Sequence, residues 1–343
     1  MRSARRWRAV GTLFAAFLVV IALFGVAEAL RYIHAPARIE IDAAPVESFD
    51  TRDASRVRFG QLEFRGGLVL TSSEPAFGGI SSLSMEPDGA HFLAVTDQGS
   101  WLRGRIVYRD GRPAGIADAE MAPILGADGN SLAARHWFDS ESLTLGADGM
   151  VYVGIERVEK IVRFDLRRDG LAARGQPIAV PDDFKTFTHN KSLECLAAPP
   201  KGAPHAGSLI AVTEHSLDAD GNHRSFVLRG KQFTRFSVQR SDDFDVSDCA
   251  IMGTNLLLLE WRIGPLISAA IRIRKMPLAA IKDGALVDGT VLLQADLGYQ
   301  IDNMEGLGVH RNAQGETILT LISDDNFSPI QRNLLLQFAL VGE

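Results

Sequence analysis

Apolar and polar positions along the chain alternate with a period of two over short runs, and the runs come in pairs. Five times an acidic or hydroxyl residue opens a short apolar strand, a Gly-containing turn follows, and a second strand ends on a carboxylate. The copies are Ile80 to Asp97, Ser140 to Glu156, Ser192 to Glu214, Val246 to Glu260 and Asn303 to Asp324. Their openings, taken at Ser82, Glu141, Glu194, Asp248 and Glu305, lie roughly 53 to 59 residues apart, the spacing of an array with one sheet per repeat. Helical periodicity is weak beyond the first 30 residues. The fold class predicted is all-β, a β-propeller of five or six blades preceded by an N-terminal hydrophobic helix. The sixth blade is left open by the long interval between Asp97 and Glu141 and by the stretch Val57 to Thr71.

The pairing gives the carboxylates a place. In the second copy Glu141 and Glu156 flank the Asp148-Gly149 turn symmetrically, so a hairpin there sets both acids at the end opposite the turn. If such hairpins are the inner strands of successive blades, the acids converge on one mouth of the central channel. Val57 to Thr71 alternates around Gly66-Gly67 as a hairpin would, and pairing it with the strand Leu334 to Leu340 would close the ring and remove its exposed edges. Strands such as Leu256 to Leu259 are apolar on both faces, as stacked sheets require.

The chain divides into residues 1–30, a signal peptide or signal anchor; 31–61, a tether containing Pro36 and Pro45; and 62–343, the propeller. Arg2, Arg5, Arg6 and Arg8 precede an apolar run from Ala9 to Ala27 and a small-residue Ala27-Glu28-Ala29 site. The run approaches the ~20 residues that span a bilayer, so cleavage and anchoring both stay open. Either outcome places the propeller in the periplasm or outside the cell, with a membrane as partner if the segment is retained.

The formal charge of −6 falls to −9 without the net +3 of residues 1–29, and so acidic a chain is a poor nucleic-acid binder. The two cysteines, Cys195 and Cys249, each follow a repeat opening. The expectation for them is small buried residues, since equivalent positions of neighbouring blades lie too far apart for a disulfide that an oxidising compartment would permit.

No GxSxG elbow, HExxH, Walker loop or Rossmann glycine fingerprint occurs. His189 is read as a loop histidine. What remains is the carboxylates, which are hard oxygen ligands suited to a divalent cation such as Ca²⁺. Asp97, Glu141, Asp248, Asp324 and Asp325 are the candidate metal ligands; Glu156, Glu194, Glu260 and Glu305 are the candidate catalytic acids and bases. Arg103, Arg157, Asn190, Lys191, Arg262 and Asn326 accompany them as candidate contacts to an anionic substrate. The bland alternatives are strand-end acids bonded to turn N–H groups or paired with arginines, and an Asx turn at Asp324 to Asn326.

Several segments together resemble the bacterial family called "esterase-like activity of phytase". They are GGISSL with TDQGSWLRG (Gly78 to Gly104), DSESL with GIERVEKIVRFD (Asp139 to Asp165), NKSLECLA (Asn190 to Ala197), LLLLEWR with AAIRIRKM (Leu256 to Met276), and DNMEGLGVH with LTLISDDNFSPIQRNLLLQF (Asp302 to Phe338). The resemblance covers nearly all of the chain beyond Leu62. It implies an exported propeller-like hydrolase of a small phosphate or carboxylate ester. The residues that match the family pattern are Asp97, Arg103, Glu141, Glu156, Arg157, Asn190, Glu194, Glu260, Asn303, Glu305, Asp324, Asp325 and Asn326. Ser82 stands where later repeats carry an acid. The competing class is a noncatalytic propeller that binds a ligand or envelope partner.

Overall fold

In the computed structural model, which describes residues 31–188, 191–264 and 268–342, strand pairs of the predicted kind recur five times and stack around a central channel. The first blade runs outward as Ile80–Met85, His91–Thr96, Ser100–Arg109 and Arg112–Pro123. The second is Ser140–Leu145, Val151–Ile155, Lys160–Phe164 and Gln176–Pro177; the third is Cys195–Ala197, Leu209–Leu217, His223–Arg229 and Gln232–Val238. The fourth is Asp245–Met252, Asn255–Gly264, Ser268–Pro277 and Thr290–Asp296. The fifth takes Asn303–Arg311, Thr317–Asp324 and Asn333–Leu340 from the C-terminal end, and its fourth strand, Leu62–Thr71, from the N-terminal end.

The architecture is therefore all-β with five blades. The interval between Asp97 and Glu141 holds the long outer hairpin of blade 1, not a sixth blade. Leu62–Thr71 pairs antiparallel with Asn333–Leu340 and closes the ring, as the alternation suggested. It does so as one continuous strand through Gly66 and Gly67, where a hairpin turn was expected. Upstream, Ala37–Arg38 extends the outer edge of blade 1 and Asp42–Val46 that of blade 5. The N-terminal hydrophobic helix expected in residues 1–30 lies outside the described residues. Among those that are described, no helix is long and apolar enough to cross a membrane.

The core lies between blades. Leu257 and Leu259 pack towards Leu307, Leu319 and Leu321 of blade 5, whereas Leu256 and Leu258 pack towards Ile210 and Val212 of blade 3. Successive strand residues face opposite sides. An uninterrupted Leu run is the chain's way of filling both gaps, and each fully buried Leu contributes roughly 1.5–3 kcal/mol.

Cys195 and Cys249 form a disulfide, Cα–Cα 5.1 Å, between the inner strands of blades 3 and 4. This corrects the expectation that they stand too far apart. Inner strands converge at the channel, so neighbours approach closely there.

Candidate active site at the propeller mouth

Each inner strand begins with an irregularity of register. Ile80 pairs with Thr96 but Ser82 with Val95; Ser140 pairs with Ile155 but Ser142 with Gly154. The same slip falls between Val246 and Asp248 and between Met304 and Gly306. The residue left unpaired is Ser81, Glu141, Ser247 or Glu305. In blade 3, Cys195 pairs with Val212, and Glu214 N–H donates to Ser192 O just as Glu156 N–H donates to Asp139 O, which makes Glu194 the counterpart. A bulge re-aims the side chain it carries. The second strand then delivers a residue opposite the bulge: Asp97, Glu156, Glu214, Trp261 and Asp324 in blades 1 to 5.

Two tiers of side chains result, and they line one cavity of about 360 Å³. Its wall comprises Asp97, Asp139, Glu141, Glu156, Glu194, Glu214, Glu305 and Asp324 together with Ser81, Lys191, Trp261 and Asn326. Among the described residues, eight carboxylates thus share the wall with one lysine and no arginine. Glu156, Glu194 and Glu214 are 2%, 7% and 6% exposed, and one carboxylate oxygen of each lies within 4.8 Å of the other two. Glu156 Oε1 accepts the Ser192 N–H, and Lys191 Nζ lies 3.3 Å from Glu214 Oε1. Among the described residues the side chain of Glu194 has neither hydrogen bond nor ion pair, and Asp97 Oδ1 is buried without a partner.

The backbone around this cluster is shaped to admit it. Asp139 sits in the left-handed region, φ 66°, and donates its N–H to Asp97 O at 2.7 Å. Gly79, φ 60°, lies so close to the Asp97 carboxylate that a Cβ there would overlap Oδ1.

Withdrawal from water dominates the acid–base properties. It raises Glu156, Asp97 and Asp324 to about 7, against the opposing pull of hydrogen bonds to Ser192, Gln98 and Asn326 respectively. Glu141, Glu194 and Glu305 are pushed well above the usual carboxylate range, first by loss of hydration and then by the neighbouring carboxylates.

Several expected residues stand elsewhere. Glu260 lies one position short of the mouth, a shift that turns its side chain to the other face. There it is fully buried between Arg272 (Nε–Oε2 2.9 Å) and Arg274 (Nη2–Oε1 2.5 Å), while Trp261 takes the mouth position. Asp248, aligned with the openings by its charge, is one residue past the bulge and points down the channel. Its carboxylate accepts from Cys249 N–H, Leu307 N–H and Ser82 Oγ, knitting blades 1, 4 and 5 together. Cys249 is displaced likewise, so the two cysteines are not equivalent positions.

The arginines are also engaged away from the cavity. Arg103 bonds Glu120 in the outer half of blade 1, and Arg157 lies over the Phe138 ring at 4.1 Å. Arg262 lies over Phe244 and donates to Asp242 O. Asp325 accepts from Gly79 and Phe327 N–H groups in a turn outside the cavity wall, and Asn326 lines the wall while donating its N–H to Asp324. His189 and Asn190 lie outside the described residues. Sequence reasoning gave no role to Glu214, although it closes the third copy, nor to Asp139 or Trp261. Their signal was position relative to a bulge, which composition does not reveal.

The family model described as "Esterase-like activity of phytase" matches residues 75–327, spanning every inner strand. The chain belongs to the phytase-like family. The carboxylate-lined mouth is thus a feature of a phytase-like domain. Among curated proteins, none matches the sequence. Solved structures similar to this phytase-like chain include U3-55K (11% identity, TM-score 0.40, covering 77% of this chain and 96% of that one). A streptogramin B lyase (10%, 0.33, covering 80% and 72%) and the virginiamycin B lyase of Staphylococcus aureus (9%, 0.36, covering 88% and 100%) are others. Likenesses of that degree carry no argument about what the phytase-like mouth does.

Proposed function

We propose that the chain hydrolyses a phosphate or carboxylate ester at this mouth, with a divalent cation, Ca²⁺ by its donor preference, held by Glu156, Glu194 and Glu214. The observation that carries the reading is the close approach of these three buried carboxylates in a member of a family described by esterase-like activity. Buried like charges repel, and either protons or a cation must compensate them. The donors are all hard oxygens, which suit Ca²⁺ or Mg²⁺ and not a soft metal. Such a cation would polarise the phosphoryl or acyl oxygen and acidify a bound water.

The remaining steps belong to the chain itself. Glu141 carries a raised pKa, so it holds a proton to higher pH than an ordinary carboxyl and suits proton transfer. Asp97, at about 7, can take the proton removed from water. Lys191 is the one cationic side chain of the cavity wall among the described residues, and it would stabilise the charge that develops on the reacting oxygen. Action outside the cytoplasm is supported by the Cys195–Cys249 disulfide, which persists in oxidising compartments, and by the basic-then-apolar start of the sequence.

The test is hydrolysis of nitrophenyl phosphate and nitrophenyl acyl esters by the full chain, with Ca²⁺ and after chelation. We expect turnover that chelation abolishes, and a Glu194→Gln variant that loses about 10²-fold or more in rate together with its Ca²⁺-induced rise in melting temperature. No turnover of any ester, with a melting temperature indifferent to chelator, would leave the noncatalytic alternative.

A further inference from the structure

The ring of acids at the mouth is incomplete, and the gap has a chemistry of its own. In blade 4 the bulge carries Ser247 and the position opposite carries Trp261, where the other blades present carboxylates at one or both sites. The acids on the two inner strands of blade 4 are engaged elsewhere, Asp248 by hydrogen bonds within the scaffold. Asp245 is held by Arg240 at 2.7 Å and by His215 at 2.9 Å, and Glu260 by its two buried arginines. Trp261 therefore gives the cavity an aromatic wall, and its indole N–H makes no hydrogen bond among the described residues.

Opposite that wall the charge is uncompensated. Glu305 and Asp324 of the adjoining blade have no lysine or arginine partner among the described residues. Two further observations point to a ligand. Glu194 is nine-tenths buried, lines the cavity and has no hydrogen-bond or ion-pair partner among the described residues, and in the same wall Asp97 Oδ1 is buried and orphaned. One divalent cation at Glu156, Glu194 and Glu214 would leave the blade 5 and blade 1 acids unbalanced. An indole is no ligand for a hard metal ion, but its face attracts diffuse, weakly hydrated organic cations more strongly than any other aromatic side chain does. A neutral ring stacked on Trp261 would leave the negative field unanswered. An organic ammonium group answers both the aromatic face and the acids. At about 360 Å³ the cavity sits at the low end of small-molecule sites, with room for a small head group and its ester.

We propose that Trp261, with Glu305 and Asp324, forms a subsite for an alkylammonium group, so that the substrate is a small ester carrying a quaternary or substituted ammonium. This names the substrate class of the hydrolase proposed above and rests on that reading for the ester. The subsite itself is a matter of binding alone.

The decisive experiment is equilibrium binding to the full chain in non-ionic detergent with Ca²⁺ present, followed by calorimetry and tryptophan fluorescence. The probes are choline and its neutral carbon isostere, 3,3-dimethylbutan-1-ol. Choline should bind at least about tenfold tighter than the isostere, Trp261→Phe should stay within about threefold of the parent, and Trp261→Leu should lose about tenfold or more. No choline binding, equal binding of the two probes, or an unaltered Trp261→Leu overturns the proposal. If Trp261→Leu fails to fold, the comparison of probes on the parent chain and Trp261→Phe decides. Choline binding without turnover of any ester would sink the hydrolase reading and keep the subsite. Turnover of nitrophenyl esters by a chain that does not bind choline would do the reverse.

Discussion

Glu260 and Trp261 exchange the roles their chemistry suggests because a strand residue's fate depends on parity. Glu260, 0% exposed, lies between Arg272 and Arg274, and Arg274 also reaches Asp288 at 2.6 Å. Removing one member of such a network leaves like charges buried side by side, a change that costs about 3–5 kcal/mol. Glu260→Ala should therefore lower the free energy of unfolding by that amount in denaturant titration, while activity per folded molecule holds. A large loss of activity without loss of stability would return Glu260 to the site. Glu194→Gln should behave in the opposite way. Its carboxylate is buried, without a partner among the described residues and crowded by Glu141, Glu156 and Glu214, so neutralising it relieves repulsion in the fold and costs the site a ligand.

At the scale of the element, the bulge at the start of each inner strand is what builds the mouth. Without the slip, Glu141 and Glu305 would continue the alternation and face a neighbouring blade. Position after the bulge matters as much: Ser142 Oγ donates to Leu193 O of the next blade, Cys195 bonds Cys249 of the next, and Asp248 accepts from Leu307 of the next. The same site thus ties blades 2, 3 and 4 each to its successor by a different bond. The disulfide closes a loop of 54 residues, worth about 4 kcal/mol in the chain-entropy account. Cys195→Ser with Cys249→Ser should lower stability by about 2–4 kcal/mol, read as a fall in the denaturation midpoint with a steeper slope, since the uncross-linked denatured chain exposes more surface. A change of less than a few tenths would show that the blades are held by packing alone. The strand pairs and their turns were legible in the sequence because alternation and Gly turns are local. The bulges were not, because an extra residue leaves no mark on composition and shifts the count by only one.

For the whole molecule, convergence of the mouth acids makes stability depend on pH in a direction opposite to that of most paired carboxylates. Glu156, Asp97 and Asp324 titrate near 7 in the fold but near 4 when unfolded. Between those values the native state binds more protons, so stability is highest at the acid end of the window and falls as pH rises from about 4 to 7. Asp88 and Asp128, lowered to about 2 mainly by His91 and Arg135, contribute the ordinary opposite trend, which is confined to more acid pH. Cation binding requires the ionised carboxylates, so it should strengthen through the same window. The melting temperature of the chelated protein should accordingly drop from pH 5 to pH 8, and Ca²⁺ should raise it more at pH 8 than at pH 5. A chelated protein that is equally stable at both ends would show that the mouth acids are compensated by other means.

The sequence by itself determined the repeat, the all-β class, the closure of the ring by the N-terminal strand and the gathering of acids at one end, since each follows from local alternation, turn chemistry and spacing. It also carried the family. Tertiary structure alone decided which acids meet. In register, Glu194 and Glu214 line the cavity while Asp248 and Glu260 lie buried in the scaffold, Trp261 replaces a carboxylate, and the arginines pair away from the mouth. One bulged residue per strand separates these outcomes, and its position is fixed by how the strands pair and stack.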